Sequence, residues 1–240
     1  MNTLTKEAYL NMQKTHYEEK ALLWSLTNRE PVVGAYDRHN AWEDYDTFLF
    51  KDFDTKGKIA IEYGCGPGRN LVRFSDRFAM VDGVDIAQNN IDKAKLNLEH
   101  NKVTNSRLYL CDGNSFPVES DSYDVVFSVI CLQHICCYDV RFKILQDAFR
   151  VLKPGGHLCF QMGFGGKPAN LTPPMPTSDY YDNPFDVTTT NGWHDVAIYD
   201  EECLRKDLVD LIGFKNYKSD IRDVGPGDTH MNWIWVQVEK

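Results

Sequence analysis

The sequence predicts an α/β fold: a three-layer sandwich around a seven-stranded, mostly parallel sheet, closed by an antiparallel C-terminal strand pair. Three observations predict it. Between residues 58 and 163, short apolar runs alternate with segments of helical period, the pattern of βαβ crossovers. The run YDVVFSVI at 123–130 is almost wholly apolar, as a central strand covered on both faces must be. Two β-rich segments, 214–222 and 233–239, follow one another without a helix between them, so they pair antiparallel.

Taken in order, residues 5–27 carry Leu10, Met12, Tyr17, Leu22, Leu23 and Leu26 among charges and read as one or two helices. Residues 28–56 are aromatic and irregular, with a short helix expected near 42–52. KIAIEY (58–63) stops at glycines and reads as a buried strand. Helical signal follows over 70–77, then a strand at 79–84 ending at Asp85. Ile91, Ala94 and Leu98 space a helix over 88–100, and 107–111 is the third strand. After the strand at 123–130, a helix over 139–152 is stopped by Lys153-Pro154-Gly155-Gly156. A fifth strand at 157–163 and a helix over 200–212, ending at Gly213, complete the series. The expected division is an N-terminal extension, 1–56, and an α/β domain, 57–240, with an insertion at 165–199.

Composition narrows the function classes. The 240 residues hold 26 Lys and Arg against 35 Asp and Glu, a net charge of −9. With 42% hydrophobic and 25% charged residues, disorder, collagen and coiled coil are excluded for the bulk of the chain. No window approaches the ~18 consecutive apolar residues of a membrane span, so no membrane partner is expected. The acidic balance argues against general binding to nucleic-acid phosphates. The first twenty residues lack a basic stretch followed by an apolar run, so no signal peptide is expected. Seven cysteines (65, 111, 131, 136, 137, 159 and 203) form no C-x-x-C pair, which suits reduced thiols in a cytoplasmic protein. Vicinal Cys136 and Cys137 read as buried or half-buried thiols rather than a redox pair. No His/Cys group has zinc spacing, and no metal site is expected.

The strand at 58–63 runs directly into Gly64-Cys65-Gly66-Pro67-Gly68-Arg69-Asn70, and a helix follows. Glycines permit a tight turn and close approach of a ligand to the backbone, and this end of a parallel sheet is where ligands bind. The spacing is G-x-G-x-G, not the G-x-G-x-x-G of dinucleotide sites. Asp85 lies 21 residues after Gly64, Cys111-Asp112-Gly113 follows the third strand, and Phe149-Arg-Val-Leu-Lys-Pro-Gly-Gly leads into the fifth. With these motifs in this order the chain resembles the class I S-adenosylmethionine-dependent methyltransferases, of small-molecule type, closely over about 57–164.

That resemblance implies S-adenosyl-L-methionine as cofactor and S-adenosyl-L-homocysteine as product. It implies cofactor contacts from Glu62, Gly64, Cys65, Gly66, Pro67, Gly68, Asn70, Asp85, Ile86, Asp112, Gly113, Asn114 and Ile130. Asp85 would hold the ribose hydroxyls and Asp112 the adenine amine, since a carboxylate accepts from both. Glu62 would orient the loop and favour the ammonium, and Asn89 is a weaker candidate for the ribose and adenine edges. The extension would cover cofactor and substrate.

Methyl transfer needs positioning and exclusion of water, and an alcohol acceptor gains from a general base. His134, after the fourth strand, and His194, beside Asp195, are the candidate bases. Tyr17, Tyr36, His39, Trp42, Trp193 and His230 are candidates for substrate contact. The region after the fourth strand lacks the Asn/Asp-Pro-Pro-aromatic and Pro-Cys motifs of nucleic-acid enzymes, so the expected acceptor is a small polar molecule such as a sugar, nucleotide sugar or metabolite, methylated at oxygen. An amine is conceivable for a chain of charge −9. The alternatives are a protein or RNA methyltransferase of the same fold and a non-catalytic cofactor-binding scaffold. The sequence leaves the oligomeric state open.

Overall fold

The computed structural model describes residues 5–26, 48–135, 137–164, 198, 201–223 and 232–240. The elements are α1 (Lys6–Ala21), β1 (Ile59–Tyr63), α2 (Arg69–Phe74), β2 (Met80–Asp85), α3 (Gln88–His100), β3 (Leu108–Leu110), β4 (Tyr123–Ser128), α4 (Tyr138–Val151), β5 (Leu152–Phe164), α5 (Glu201–Lys206), β6 (Lys215–Asp223) and β7 (Asn232–Glu239). A 3₁₀ turn, Leu132–His134, links β4 to α4. The sheet order is β3-β2-β1-β4-β5-β7-β6. β1 to β5 pair in parallel, and β7 runs antiparallel to both β5 and β6. The predicted fold class is therefore the observed one.

The order reverses at β1 and β4, so their C-terminal ends open a crevice between the crossovers. One apolar cluster packs α1, α4 and the α5 region against the sheet through Tyr9, Ile144, Leu145, Leu204 and Leu208. The other gathers Phe50, Leu71, Phe74, Phe78, Val125 and Phe127 on the opposite face. Phe50 is its hub, edge-on to Phe53, Phe74, Phe78 and Phe127 at 5.2–6.2 Å, with the Arg77 guanidinium 4.9 Å from its ring centre. Phe50→Ala is expected to destabilise the fold by about 3–5 kcal/mol, read as a lower denaturant midpoint. Residues before 57 thus contribute to both clusters.

Three details differ from the sequence reading. β5 begins at Leu152, not at 157, because the Pro-Gly-Gly stretch bulges out of the ladder instead of leaving it. Tyr123 pairs with Leu152 and Val125 with His157, while Gly155 N–H donates to the Lys240 carbonyl and Lys240 N–H to that of Gly156. The helix expected over 200–212 is α-helical only to Lys206 and continues as a π-helix, Asp207–Ile212. There Asp207, fully buried, accepts from the Tyr138 hydroxyl at 2.9 Å. α2 stops at Phe74 rather than 77. The helix expected near 42–52 lies partly outside the described residues, of which Phe48 and Leu49 are helical.

Candidate active site

A cavity of about 360 Å³ opens at the C-terminal ends of β1 and β4, with α1 across it. The glycine loop forms its floor. Gly64 and Cys65 donate to the Val84 carbonyl at 2.8 and 3.0 Å, and Gly68 N–H closes back on the Cys65 carbonyl at 2.9 Å. Gly64 has φ +73, and a Cβ there would sit 2.8 Å from Cys131 Cβ. Only glycine meets both constraints. Gly113, at φ +88, leaves no room for a Cβ beside Ile86 Cδ1 at 2.5 Å, and these two residues with Leu10 form an apolar slot.

Asp85 ends β2 and fixes the loop. Its carboxylate accepts from Gly66 N–H (2.9 Å), Ala87 N–H (2.9 Å) and Asn90 Nδ2 (3.1 Å). Burial pushes its pKa up, against these three donors. A carboxylate has about four acceptor positions, so Asp85 retains capacity toward the cavity it lines. Glu62, 1% exposed, accepts from Asn70 Nδ2 at 2.6 Å through Oε1, while Oε2 has no partner. Burial pushes the Glu62 carboxyl up to about 8, against the opposing Asn70 hydrogen bond and Arg69 charge. An unpartnered buried carboxyl oxygen in a cavity wall is able to take a donor or cation from a ligand.

At the far side β4 ends in Ser128-Val129-Ile130. Ile130 adopts φ +51, a left-handed conformation unfavourable for a β-branched residue. Its N–H donates to Gln161 Oε1 at 3.0 Å. Strain of this kind, about 1–3 kcal/mol, persists where the surroundings enforce it and concentrates at functional sites. The turn carries the backbone to His134, whose carbonyl accepts from Gln13 Nε2 of α1 at 3.1 Å.

α1 is the cover. Tyr9, Leu10, Gln13, His16, Tyr17 and Lys20 line the cavity, a face spaced at i, i+3, i+4 and i+7. Glu18 docks the helix: its two oxygens accept from Gln88 and Asn89 N–H, each at 2.8 Å. Ala87 stands at the N-cap of α3 and supplies no side-chain cap, so Glu18 satisfies those donors and complements the helix dipole. Glu18→Ala is expected to cost about 1 kcal/mol and to speed amide exchange along 6–21 while leaving 59–63 unchanged.

The structure brings together at the cavity Glu62, Gly64, Cys65, Gly66, Pro67, Asn70, Asp85, Ile86, Gly113, Ile130, Tyr17 and His134. Gly68 lies just behind, as N-cap of α2 with φ +81. Asp112 and Asn114 are not in the wall. Asp112 is exposed, and its Oδ1 accepts from Asn114 N–H at 3.0 Å and Ser115 Oγ at 2.9 Å, closing its own turn. Tyr36, His39, Trp42, Trp193, His194 and His230 lie outside the described residues. Gln13, His16, Lys20, Arg69 and Asn90 line the cavity without having been anticipated. The helical spacing of the first three is the signal that could have found them. The six described cysteines are free thiols, and burial raises those of Cys65, Cys111 and Cys131 around the loop, the Cys111 thiol to about 12. Among the described residues there is no group of three or more metal-ligating side chains, and no helix is long and apolar enough to cross a membrane.

Comparison with known proteins fits this geometry. Residues 60–156 match the family described as "Methyltransferase domain". The chain is 30% identical over 120 residues to phosphoethanolamine N-methyltransferase 2 of Caenorhabditis elegans, covering 48% of this chain and 26% of that one. It is 29% identical over 129 residues to the tRNA (carboxymethyluridine(34)-5-O)-methyltransferase ALKBH8 of Macaca fascicularis, covering 53% and 18% respectively. The chain therefore spans about a quarter or less of these relatives' length. Phosphoethanolamine N-methyltransferase 2 of Haemonchus contortus, solved with phosphomonomethylethanolamine and S-adenosylhomocysteine, superposes with a TM-score of 0.67 at 18% identity, over 99% of this chain and 60% of that one. The residues present fit S-adenosylmethionine: Glu62 on the cavity wall has an unpartnered carboxyl oxygen for an ammonium, Asp85 keeps one acceptor position for a ribose hydroxyl, and the Ile86–Gly113–Leu10 slot suits a flat ring. Residues 60–156 thus match a methyltransferase-domain family, and the chain shares its fold with solved S-adenosylmethionine-dependent methyltransferases.

Proposed function

We propose that this chain transfers a methyl group from S-adenosylmethionine to an oxygen of a small polar molecule, with His134 as the base. The observation that carries the reading is the cavity's polarity. Acidic Glu62 and Asp85 stand on the loop side, and His134 with the polar face of α1 lies beyond strained Ile130. Bound S-adenosylmethionine supplies an electrophilic methyl on a good leaving group, and departs as neutral S-adenosylhomocysteine. Glu62 and Asp85 anchor its two ends and α1 keeps water out, so the protein's part is alignment. As the new O–C bond forms, His134 takes the acceptor's proton. His194, the other candidate base, lies outside the described residues. The free thiols at the cavity wall suit a reducing, cytoplasmic setting.

The test is incubation with S-adenosylmethionine carrying a tritiated methyl group and a cell extract, followed by separation of small molecules, protein and nucleic acid. Label in the small-molecule fraction supports the proposal. Label in RNA would favour the second reading, which rests on similarity to a tRNA methyltransferase; label in protein would likewise move the acceptor class. Binding of cofactor with no label in any fraction would leave a scaffold. Within the first outcome, His134→Ala is expected to lower kcat about 10²–10⁴-fold with cofactor affinity within about twofold of wild type.

A further inference from the structure

The segment that carries His134 is held by side chains from three other elements. β4 ends at Ser128, and the chain passes through Ile130 and the 3₁₀ turn Leu132–His134 before α4 begins. The turn makes two backbone bonds of its own: His134 N–H donates to the Cys131 carbonyl at 2.9 Å, and Ile135 N–H to that of Leu132 at 3.1 Å. Three more of its backbone groups are met by buried side chains. Ile130 N–H donates to Gln161 Oε1 of β5 at 3.0 Å. The His134 carbonyl accepts from Gln13 Nε2 of α1 at 3.1 Å. The Ile135 carbonyl accepts from the Arg141 guanidinium of α4.

Two features set this apart from ordinary packing. Gln161 is fully buried, and its Nε2 has no partner. Burying a polar group without a hydrogen bond costs stability, and an apolar side chain would avoid that cost. What the glutamine supplies is an acceptor for Ile130, whose φ of +51 persists only where the surroundings enforce it. The second feature is the reach of α1. Gln13 bonds the turn on the β4 side of the crevice, and Glu18, little more than one helical turn later, accepts from Gln88 and Asn89 N–H on the β2 side. The helix is tied to both lips, so its seating over the cavity also sets the backbone of His134.

Resting on the proposed methyl transfer with His134 as base, we infer that Gln161 and Gln13 are positioning residues for that reaction. Gln161 fixes the start of the turn through Ile130, and Gln13 fixes its end at His134. Both act through the backbone, on the place from which the imidazole reaches the acceptor. Alignment is the protein's main contribution to this transfer, and a misplacement of about 1 Å costs about 10²-fold in rate.

The experiment measures transfer of a tritiated methyl group from S-adenosylmethionine into whichever fraction of a cell extract the wild-type chain labels, with S-adenosylhomocysteine affinity measured alongside. Gln13→Met and Gln161→Met keep the length of the side chain and remove its hydrogen bond. Each is expected to lower the rate at saturating extract about tenfold or more, with S-adenosylhomocysteine affinity within about twofold of wild type. Gln161→Glu keeps an acceptor oxygen for Ile130 and should restore the rate to within about threefold of wild type. Lys14→Gln, an exposed position on the same helix outside the cavity lining, should leave the rate unchanged. A double-mutant cycle separates positioning from general support of the fold. In a His134→Ala background each Gln→Met change should cost less than about twofold, because the group it positions is gone. Equal losses in both backgrounds, undiminished rates in the single variants, or losses that follow S-adenosylhomocysteine affinity overturn the inference while the methyltransferase reading stands. A wild-type chain that labels no fraction, or His134→Ala with an undiminished rate, overturns the proposed transfer through His134, and this inference with it.

Discussion

Asp85→Ala is expected to weaken S-adenosylhomocysteine binding about a hundredfold, or nearly 3 kcal/mol. Two losses add. The ligand's hydroxyls lose their acceptor, and hydrogen bonds to a charged group contribute about 1.5–3 kcal/mol. The loop loses its tie as well, because Gly66, Ala87 and Asn90 all donate to this one carboxylate. Left without an acceptor, Gly66 N–H no longer holds the loop in the shape that admits a ligand. Asp85→Asn should fall between, about tenfold weaker, since an amide keeps one acceptor oxygen but turns a donor toward a donor. Calorimetric titration of the three proteins measures both steps. Equal affinities would remove Asp85 from the cofactor site.

The second large effect is a pH dependence set by Glu62. In the free protein this carboxyl keeps its proton up to about pH 8. A bound ammonium beside Oε2 favours the carboxylate, so binding below that pH expels a proton. Cofactor affinity should rise about tenfold per pH unit between about pH 6 and 8, then level off. Stability moves the opposite way. The unfolded chain releases this proton near 4.5 and the folded chain near 8, so folded protein binds more protons in between. The contribution is full below about 4.5 and is lost as pH rises through about 8. Glu62→Gln should abolish the slope in affinity, bind the cofactor more weakly at pH 8, and be more stable than wild type at pH 9. A cofactor affinity flat from pH 6 to 9 in wild type would show that no proton leaves Glu62.

Much of this site was written in local sequence. A glycine at Gly64 is demanded by its positive φ in the turn after β1, and an acid at the end of the next strand must face the same crevice. Those requirements are short-range and legible from spacing, as was the alternation that fixed five parallel strands and the closing pair. The face of α1 was not. Its apolar residues suggested only a helix, and two of them, Leu22 and Leu23, are exposed just past its end at 66% and 63%. Leu10, Tyr17 and Leu23 line the cavity, but so do Gln13, His16 and Lys20, and the helix is docked by Glu18 reaching α3, about seventy residues away in sequence. Asp112 illustrates the converse: it holds the expected position after β3, yet its carboxylate turns back on Asn114 and Ser115. At the start of the π-helix Asp207–Ile212, Asp207 accepts from a tertiary partner, Tyr138, which helical spacing does not record.

The cavity between the glycine loop and α1 is the proposed cofactor site. Amide hydrogen exchange with and without S-adenosylhomocysteine tests it most directly. Slowed exchange at 64–68, at 85–90 and along 6–24, with β6 unaffected, is the predicted result. Binding that leaves the loop and α1 at their free rates, or that protects another surface, would contradict it.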